Sequence, residues 1–261
     1  MKMKEPQLIL VGAGPGDADL ITLKGIGALK AADVVLYDAL ANKTLLDYVK
    51  PEAIKVFVGK RAGLHHYQQF TINKMIVKYA MQFGTVVRLK GGDPYVFGRG
   101  HEEAAYARRH GLKVTVVPGV SSAIAVPALQ DIPLTKRGVC HSFCVVTATG
   151  KDGQLTGDIK WAATGKGTVV ILMGMKKLPE IVNLFRKFRA DVEPVAIIRN
   201  GTCANEAMGL GTLKNIVKVA NDLSLQAPAV IVIGQVVKER AKIEGNYLWQ
   251  HSMNLGESSF I

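Results

Sequence analysis

Cysteine is scarce in this chain: three residues among 261. Cys140, Cys144 and Cys203 are too few and too irregularly spaced for a disulfide framework or a four-thiolate zinc site, so they read as reduced thiols and no metal is expected. No apolar run approaches the roughly 20 residues that span a bilayer, and Met1 to Pro6 is short and polar, so a cytoplasmic protein without export or membrane anchoring is expected. Internal repeats and low-complexity segments are absent. Acidic residues are in deficit, 21 against 33 Lys and Arg, which leaves a formal charge of +12 and a field that favours an anionic partner. The basic residues are dispersed, as in Lys60-Arg61, Lys90, Arg99, Arg108-Arg109, Lys136-Arg137 and Lys176-Lys177, with no run of five. Without zinc-finger spacing or an aromatic RNA-binding signature, nucleic acid is disfavoured.

What is present is apolar patterning. Nearly half the residues are hydrophobic, and short β-branched runs alternate with stretches of helical period, the signature of an α/β protein with parallel strands. Nine strands are expected: Leu8 to Val11, Val34 to Tyr37, Val56 to Val58, Val86 to Leu89, Val114 to Val117, Phe143 to Thr147, Thr168 to Leu172, Val195 to Ile198 and Val230 to Ile233. A helix is expected over Leu23 to Ala31. Ile72, Ile76, Tyr79, Ala80 and Phe83 place an apolar stripe on one face of another. Pro118, Pro127 and Pro133 mark a junction between strand sets. The expected domains are therefore residues 1–118 and 119–241, followed by a polar tail over 242–261.

Glycine-rich turns follow strand after strand. Gly12, Gly14 and Gly16 after the first strand permit a sharp turn and close backbone approach. Asp17 occupies the third-glycine position of a dinucleotide fingerprint, and no Gly-Lys-Ser/Thr follows, so neither a nicotinamide site nor a P-loop is indicated. Gly91-Gly92-Asp93-Pro94 closes another strand. Asp93 there either holds an ammonium or hydroxyl of a ligand at the carboxyl edge of the sheet or sits in a plain turn and caps the next helix. Pro118-Gly119-Val120-Ser121-Ser122, Met173-Gly174 and Asn200-Gly201-Thr202 complete the set.

These segments together carry a resemblance. VGAGPGDADLITLKG (11–25), ADVVLYDAL (32–40), GKRAG (59–63), VVRLKGGDPYVFGRG (86–100), VVPGVSSAIAVPAL (116–129), IPLTKRG (132–138), VILMGM (170–175), PVAIIRNGT (194–202) and APAVIVIGQVV (227–237) occur in one order over residues 7–240. The chain resembles the uroporphyrinogen-III C-methyltransferases, within the tetrapyrrole (precorrin) methyltransferases. The YDAL and GKRAG pair distinguishes it from other precorrin methyltransferases, which remain the alternative. A nucleic-acid-binding protein that uses its glycine loops only structurally is the reading from another class.

The resemblance implies two α/β domains with mostly parallel sheets, a cleft between them holding S-adenosyl-L-methionine, S-adenosyl-L-homocysteine as its product form, and a homodimer. It implies cofactor contacts at Pro15, Gly91, Gly92, Asp93, Val96, Ser121, Ser122, Met173 and Gly201. Asp38, Lys60 and Arg99 match its catalytic positions. Arg99 and Glu102 fall on the substrate side, and Lys60, Arg61, Arg99, Lys136 and Arg137 are candidates to bind the carboxylates of an anionic tetrapyrrole. Two positions depart from the usual pattern: Lys136 stands where histidine is common, and Arg199 where glutamate is common. A methyltransferase without synthase or dehydrogenase-ferrochelatase extensions is expected.

Overall fold

The computed structural model describes residues 5–59, 68–150 and 153–243. Lys60, Arg61 and almost all of the expected polar tail lie outside these. The chain divides into two units, residues 1–121 and 122–261.

The first unit is a five-stranded sheet of β1 (Gln7–Gly12), β2 (Val34–Tyr37), β3 (Ile54–Phe57), β4 (Thr85–Lys90) and β5 (Lys113–Val117), in the order β3-β2-β4-β1-β5. Every pairing is parallel. Helices cover both faces, which is why β1, β2 and β4 read as near-continuous apolar runs. Side chains alternate across the sheet. Val11, Val35, Val87 and Leu89 join one core with α1 (Leu23–Ala31), whose first turn is capped by the Thr22 hydroxyl accepting from the Gly25 N–H at 3.1 Å. Leu8, Leu10, Val34, Leu36 and Val86 join the opposite core with α2 (Gln69–Phe83) and α3 (Gly100–Arg109). The stripe expected on α2 is core: Ile72, Ile76 and Ala80 are buried, with Tyr79 and Phe83 packed beside them. Each fully buried isoleucine contributes roughly 1.5–3 kcal/mol, so a charge at Ile76 would undo the face.

The second unit holds β6 (Phe143–Thr147), β7 (Thr168–Leu172), β8 (Pro194–Arg199), β9 (Ala207–Thr212) and β10 (Ala229–Ile233), in the order β6-β7-β10-β8-β9. One of its faces packs on α5 (Gly157–Thr164), α6 (Leu178–Phe185) and α7 (Ile216–Asp222), the other on α4 (Ser122–Leu129) and α8 (Val237–Ile243). Only β6 and β7 run parallel here; β7–β10, β10–β8 and β8–β9 are antiparallel. The pattern of alternating strands and helices predicts parallel neighbours, and this sheet differs because β8 turns directly into β9 through residues 200–206 with no helix between them. A hairpin connection of that length forces antiparallel pairing. Because β7 and β8 both run opposite to β10, their carboxyl ends share one edge of the sheet.

Candidate functional site

In the first unit the loops after β1, β4 and β5 meet at the carboxyl edge, where open α/β sheets receive ligands. The Ala13 N–H donates to the Lys90 carbonyl at 2.7 Å, and Gly14 and Gly92 exchange backbone bonds at 3.3 and 2.7 Å. A Cβ on Gly12 would stand 2.4 Å from Gly119 Cα and 2.7 Å from the Gly92 carbonyl oxygen. Three loops therefore interlock through bare backbone. The loop after β2 joins them: a Cβ on Gly91 would meet Leu40 Cβ at 2.7 Å, and the Asn42 amide donates to the Gly16 carbonyl at 2.8 Å.

Asp93 ties this edge together. Its Oδ1 accepts from the Tyr95 N–H at 2.8 Å, making a local turn, and its Oδ2 accepts from the Gly119 N–H at 3.0 Å. The turn is thus present, but Asp93 does not cap the next helix, since Arg99 holds the N-cap position of α3; each Asp93 oxygen keeps a lone pair for a ligand. Pro15, Gly91, Gly92 and Asp93 are half-buried on these loops, and Val96 is exposed beside Tyr95 and Phe97.

In the second unit, Met173 follows β7 and Gly201 follows β8, at the same sheet edge. A Cβ on Gly201 would lie 2.4 Å from Val126 Cγ1, so glycine is required there by the α4 side chain. Ser122 opens α4, and Ser121 is the last residue of the first unit. Non-glycine residues at positive φ cluster in these loops: Phe97 and Arg99 after β4, Met173 after β7, Asn200 and Thr202 after β8. Strained backbone of this kind persists where surrounding structure over-determines it, and it gathers at ligand sites.

The candidate catalytic and substrate residues fall in different surroundings. Arg99 grips Glu102 in a two-armed bond, Nε to Oε1 at 2.9 Å and Nη2 to Oε2 at 2.6 Å, with both side chains about half exposed. That bond holds the Arg99 guanidinium above its ordinary value. Lys136 pairs with Glu239 in the second unit, and Arg137 is exposed in the turn between Lys136 and Cys140.

Asp38, at the end of β2, is different. Its Oδ1 accepts from Arg88 Nη2 at 2.6 Å, and its Oδ2 lies 3.9 Å from Lys90 Nζ. Arg88 and Lys90 occupy alternate positions of β4, on the face that α2 and α3 cover, and both reach Glu103 Oε1 at 3.2 Å. Gln69 of α2 donates to the same oxygen at 3.0 Å and to Asn73. Burial opposes the Arg88 charge, but Glu103 and Asp38 outweigh it and raise the guanidinium above its ordinary value. For Lys90, burial and then the Arg88 charge win, and the ammonium is lowered. Sequence reasoning missed Arg88, Lys90 and Glu103 as members of one set. Two cations two residues apart in an otherwise apolar central strand were the available signal.

An α/β sheet with interlocked glycine loops at its carboxyl edge is the arrangement in which open α/β folds receive small molecules, a class that includes many enzymes. Residues 7–217 match the family model of the Tetrapyrrole (Corrin/Porphyrin) Methylases, and the chain belongs to that family. A protein from Methanocaldococcus jannaschii named uroporphyrinogen-III C-methyltransferase is 46% identical over 233 residues, covering 88% of this chain and 96% of the relative. The crystal structure of a uroporphyrin-III C-methyltransferase from Thermus thermophilus, complexed with S-adenosylhomocysteine, superposes with a TM-score of 0.77 at 37% identity, covering 89% of this chain and 99% of that one. A cobalt precorrin-4 methyltransferase of cobalamin biosynthesis gives a TM-score of 0.79 at 26% identity, covering 88% and 95%. Among the described residues no helix is long and apolar enough to cross a membrane, and no group of three or more His, Cys, Asp or Glu could hold a metal.

Proposed function

We propose that the chain transfers two methyl groups in succession from S-adenosyl-L-methionine to uroporphyrinogen III, giving precorrin-2 by way of precorrin-1. The observation that carries this reading is the 46% identity across nearly the whole length of a uroporphyrinogen-III C-methyltransferase. The precorrin-4 enzyme superposes as well but at much lower identity, so another precorrin methyltransferase is the second reading.

The residues present fit the cofactor. Asp93 offers a half-buried carboxylate for an ammonium or hydroxyl, Gly91 and Gly92 leave the strand edge free of side chains, and exposed Leu40, Tyr95, Val96 and Phe97 offer apolar faces. Pro15 completes the group in the first unit; Ser121, Ser122, Met173 and Gly201 are the proposed contacts from the remaining loops. When bound, S-adenosyl-L-methionine supplies a methyl group on a sulfonium that leaves as a neutral thioether. The chain's part is to align an electron-rich pyrrole carbon with that methyl, which accounts for much of the rate through proximity. A proton must then leave the macrocycle, and Asp38, with Lys60 and Arg99, is assigned to it. Arg61, Lys136 and Arg137 meet the substrate's acetate and propionate groups, with Glu102 holding Arg99. The charge of +12 suits that polyanion. A cytoplasmic homodimer, with neither nucleic acid nor membrane as partner, completes the reading.

Calorimetric titration with S-adenosylhomocysteine tests it, using the intact protein and Asp93→Ala. Binding that weakens at least tenfold in the variant is expected, followed by methylation of uroporphyrinogen III in preference to other tetrapyrroles. Absence of binding by the intact, folded protein would overturn the reading. Preference for a later precorrin would favour the second one.

A further inference from the structure

Asp38 rests on more buried charge than holding a turn requires. Arg88, Lys90 and Glu103 have side-chain exposures of 2%, 5% and 0%, against 26% for Asp38. Replacing such a buried set by apolar residues is often neutral or stabilising, so stability alone is a weak reason for it.

The bonding is one-sided. Glu103 Oε1 accepts from Arg88, Lys90 and Gln69, while the buried Oε2 has no hydrogen-bond partner among the described residues. Arg88 is held at every arm: Nε to Glu103, Nη1 to the Leu36 and Leu89 carbonyls at 3.4 and 3.2 Å, Nη2 to Asp38 Oδ1. The outcome is a carboxylate with two unlike oxygens. Oδ1 is taken by a rigid guanidinium, and among the described residues Oδ2 faces Lys90 alone, at 3.9 Å, beyond hydrogen-bond reach.

We propose that Glu103 is a positioning residue for Asp38: through Arg88 and Lys90 it fixes the rotation of the Asp38 carboxylate so that Oδ2 is the oxygen offered to the substrate. This rests on the reading of Asp38 as a proton-transfer group. Glu103 touches neither Asp38 nor substrate, and acts only through the two β4 cations.

The test is a double-mutant cycle on the full chain with Asp38→Asn, Glu103→Gln and the pair. It reads kcat and KM for methyl transfer from S-adenosylmethionine to uroporphyrinogen III, with S-adenosylhomocysteine titration as the check on folding. Glu103→Gln is expected to lower kcat by up to about 100-fold, the cost of a misplaced catalytic group, with both KM values and the S-adenosylhomocysteine affinity within about twofold. The double variant is expected to be no slower than Asp38→Asn. Effects that multiply, an unchanged kcat in Glu103→Gln, or a change confined to KM would each overturn the proposal. A wild-type rate in Asp38→Asn would instead remove the reading beneath it. If Glu103→Gln does not fold, Lys90→Gln is put through the same cycle with the same expectations; failure of both to fold would assign the set to stability and overturn the proposal.

Discussion

Gly12→Ala tests whether the three loops at the carboxyl edge form one packed body. The added Cβ would sit 2.4 Å from Gly119 Cα, 2.5 Å from Gly119 N and 2.7 Å from the Gly92 oxygen, all backbone atoms. Ordinary contact begins near 3.4 Å, so the loops must part by about 1 Å in a core packed like a crystal. Overpacking of this order costs about 1–3 kcal/mol. Since Gly92 adjoins Asp93 and Gly119 is bonded to it, the same shift loosens the proposed cofactor contacts, and a displacement of about 1 Å can cost 100-fold in turnover. Gly27→Ala is the matched control. Gly27 lies on the exposed side of α1 with nothing within 4 Å of the added carbon, so alanine there stabilises by about 0.5–1 kcal/mol. Urea unfolding and S-adenosylhomocysteine titration of both variants give the comparison. Stability and binding of Gly12→Ala equal to the parent would refute the interlocked-loop account.

Gly201→Ala should cost about 1–3 kcal/mol by driving into Val126, and Val126→Ala in the same chain should recover part of it; a double variant less stable than Gly201→Ala would contradict this. Arg99→Ala removes only an exposed pair, so unfolding should shift by no more than about 1 kcal/mol, while methyl transfer falls about 100-fold if Arg99 assists the proton. Lys90 supplies a pH prediction. Its folded value is lowered, so between that value and the ordinary lysine value the unfolded chain holds a proton the folded chain lacks, and stability rises with pH. Urea midpoints of the parent, set against Lys90→Met, should show that alkaline rise only in the parent; the same rise in both would assign it to other groups.

The nine strands expected from apolar runs are all present, although β3 begins two residues earlier than Val56. The tenth, β9, escaped notice because its sequence, Ala-Met-Gly-Leu-Gly-Thr, carries two glycines that weaken a strand signal. Their cause is tertiary. A Cβ on Gly209 would strike Leu225 and Val219, and one on Gly211 would strike the Asn215 side chain, so α7 and its flanks dictate small residues on an edge strand. The glycine loops were legible because a turn after a strand is a local matter. The charged set was not. Glu102 and Glu103 look alike in sequence, yet the first lies exposed against Arg99 and the second is wholly buried under β4, a difference made by the direction each takes from α3.

The most direct measurement of the central claim is methyl transfer from isotope-labelled S-adenosylmethionine to uroporphyrinogen III, with the tetrapyrrole product followed by mass spectrometry. The account predicts a singly methylated species that rises and decays into a doubly methylated one. Binding of S-adenosylhomocysteine without label reaching that tetrapyrrole would contradict it.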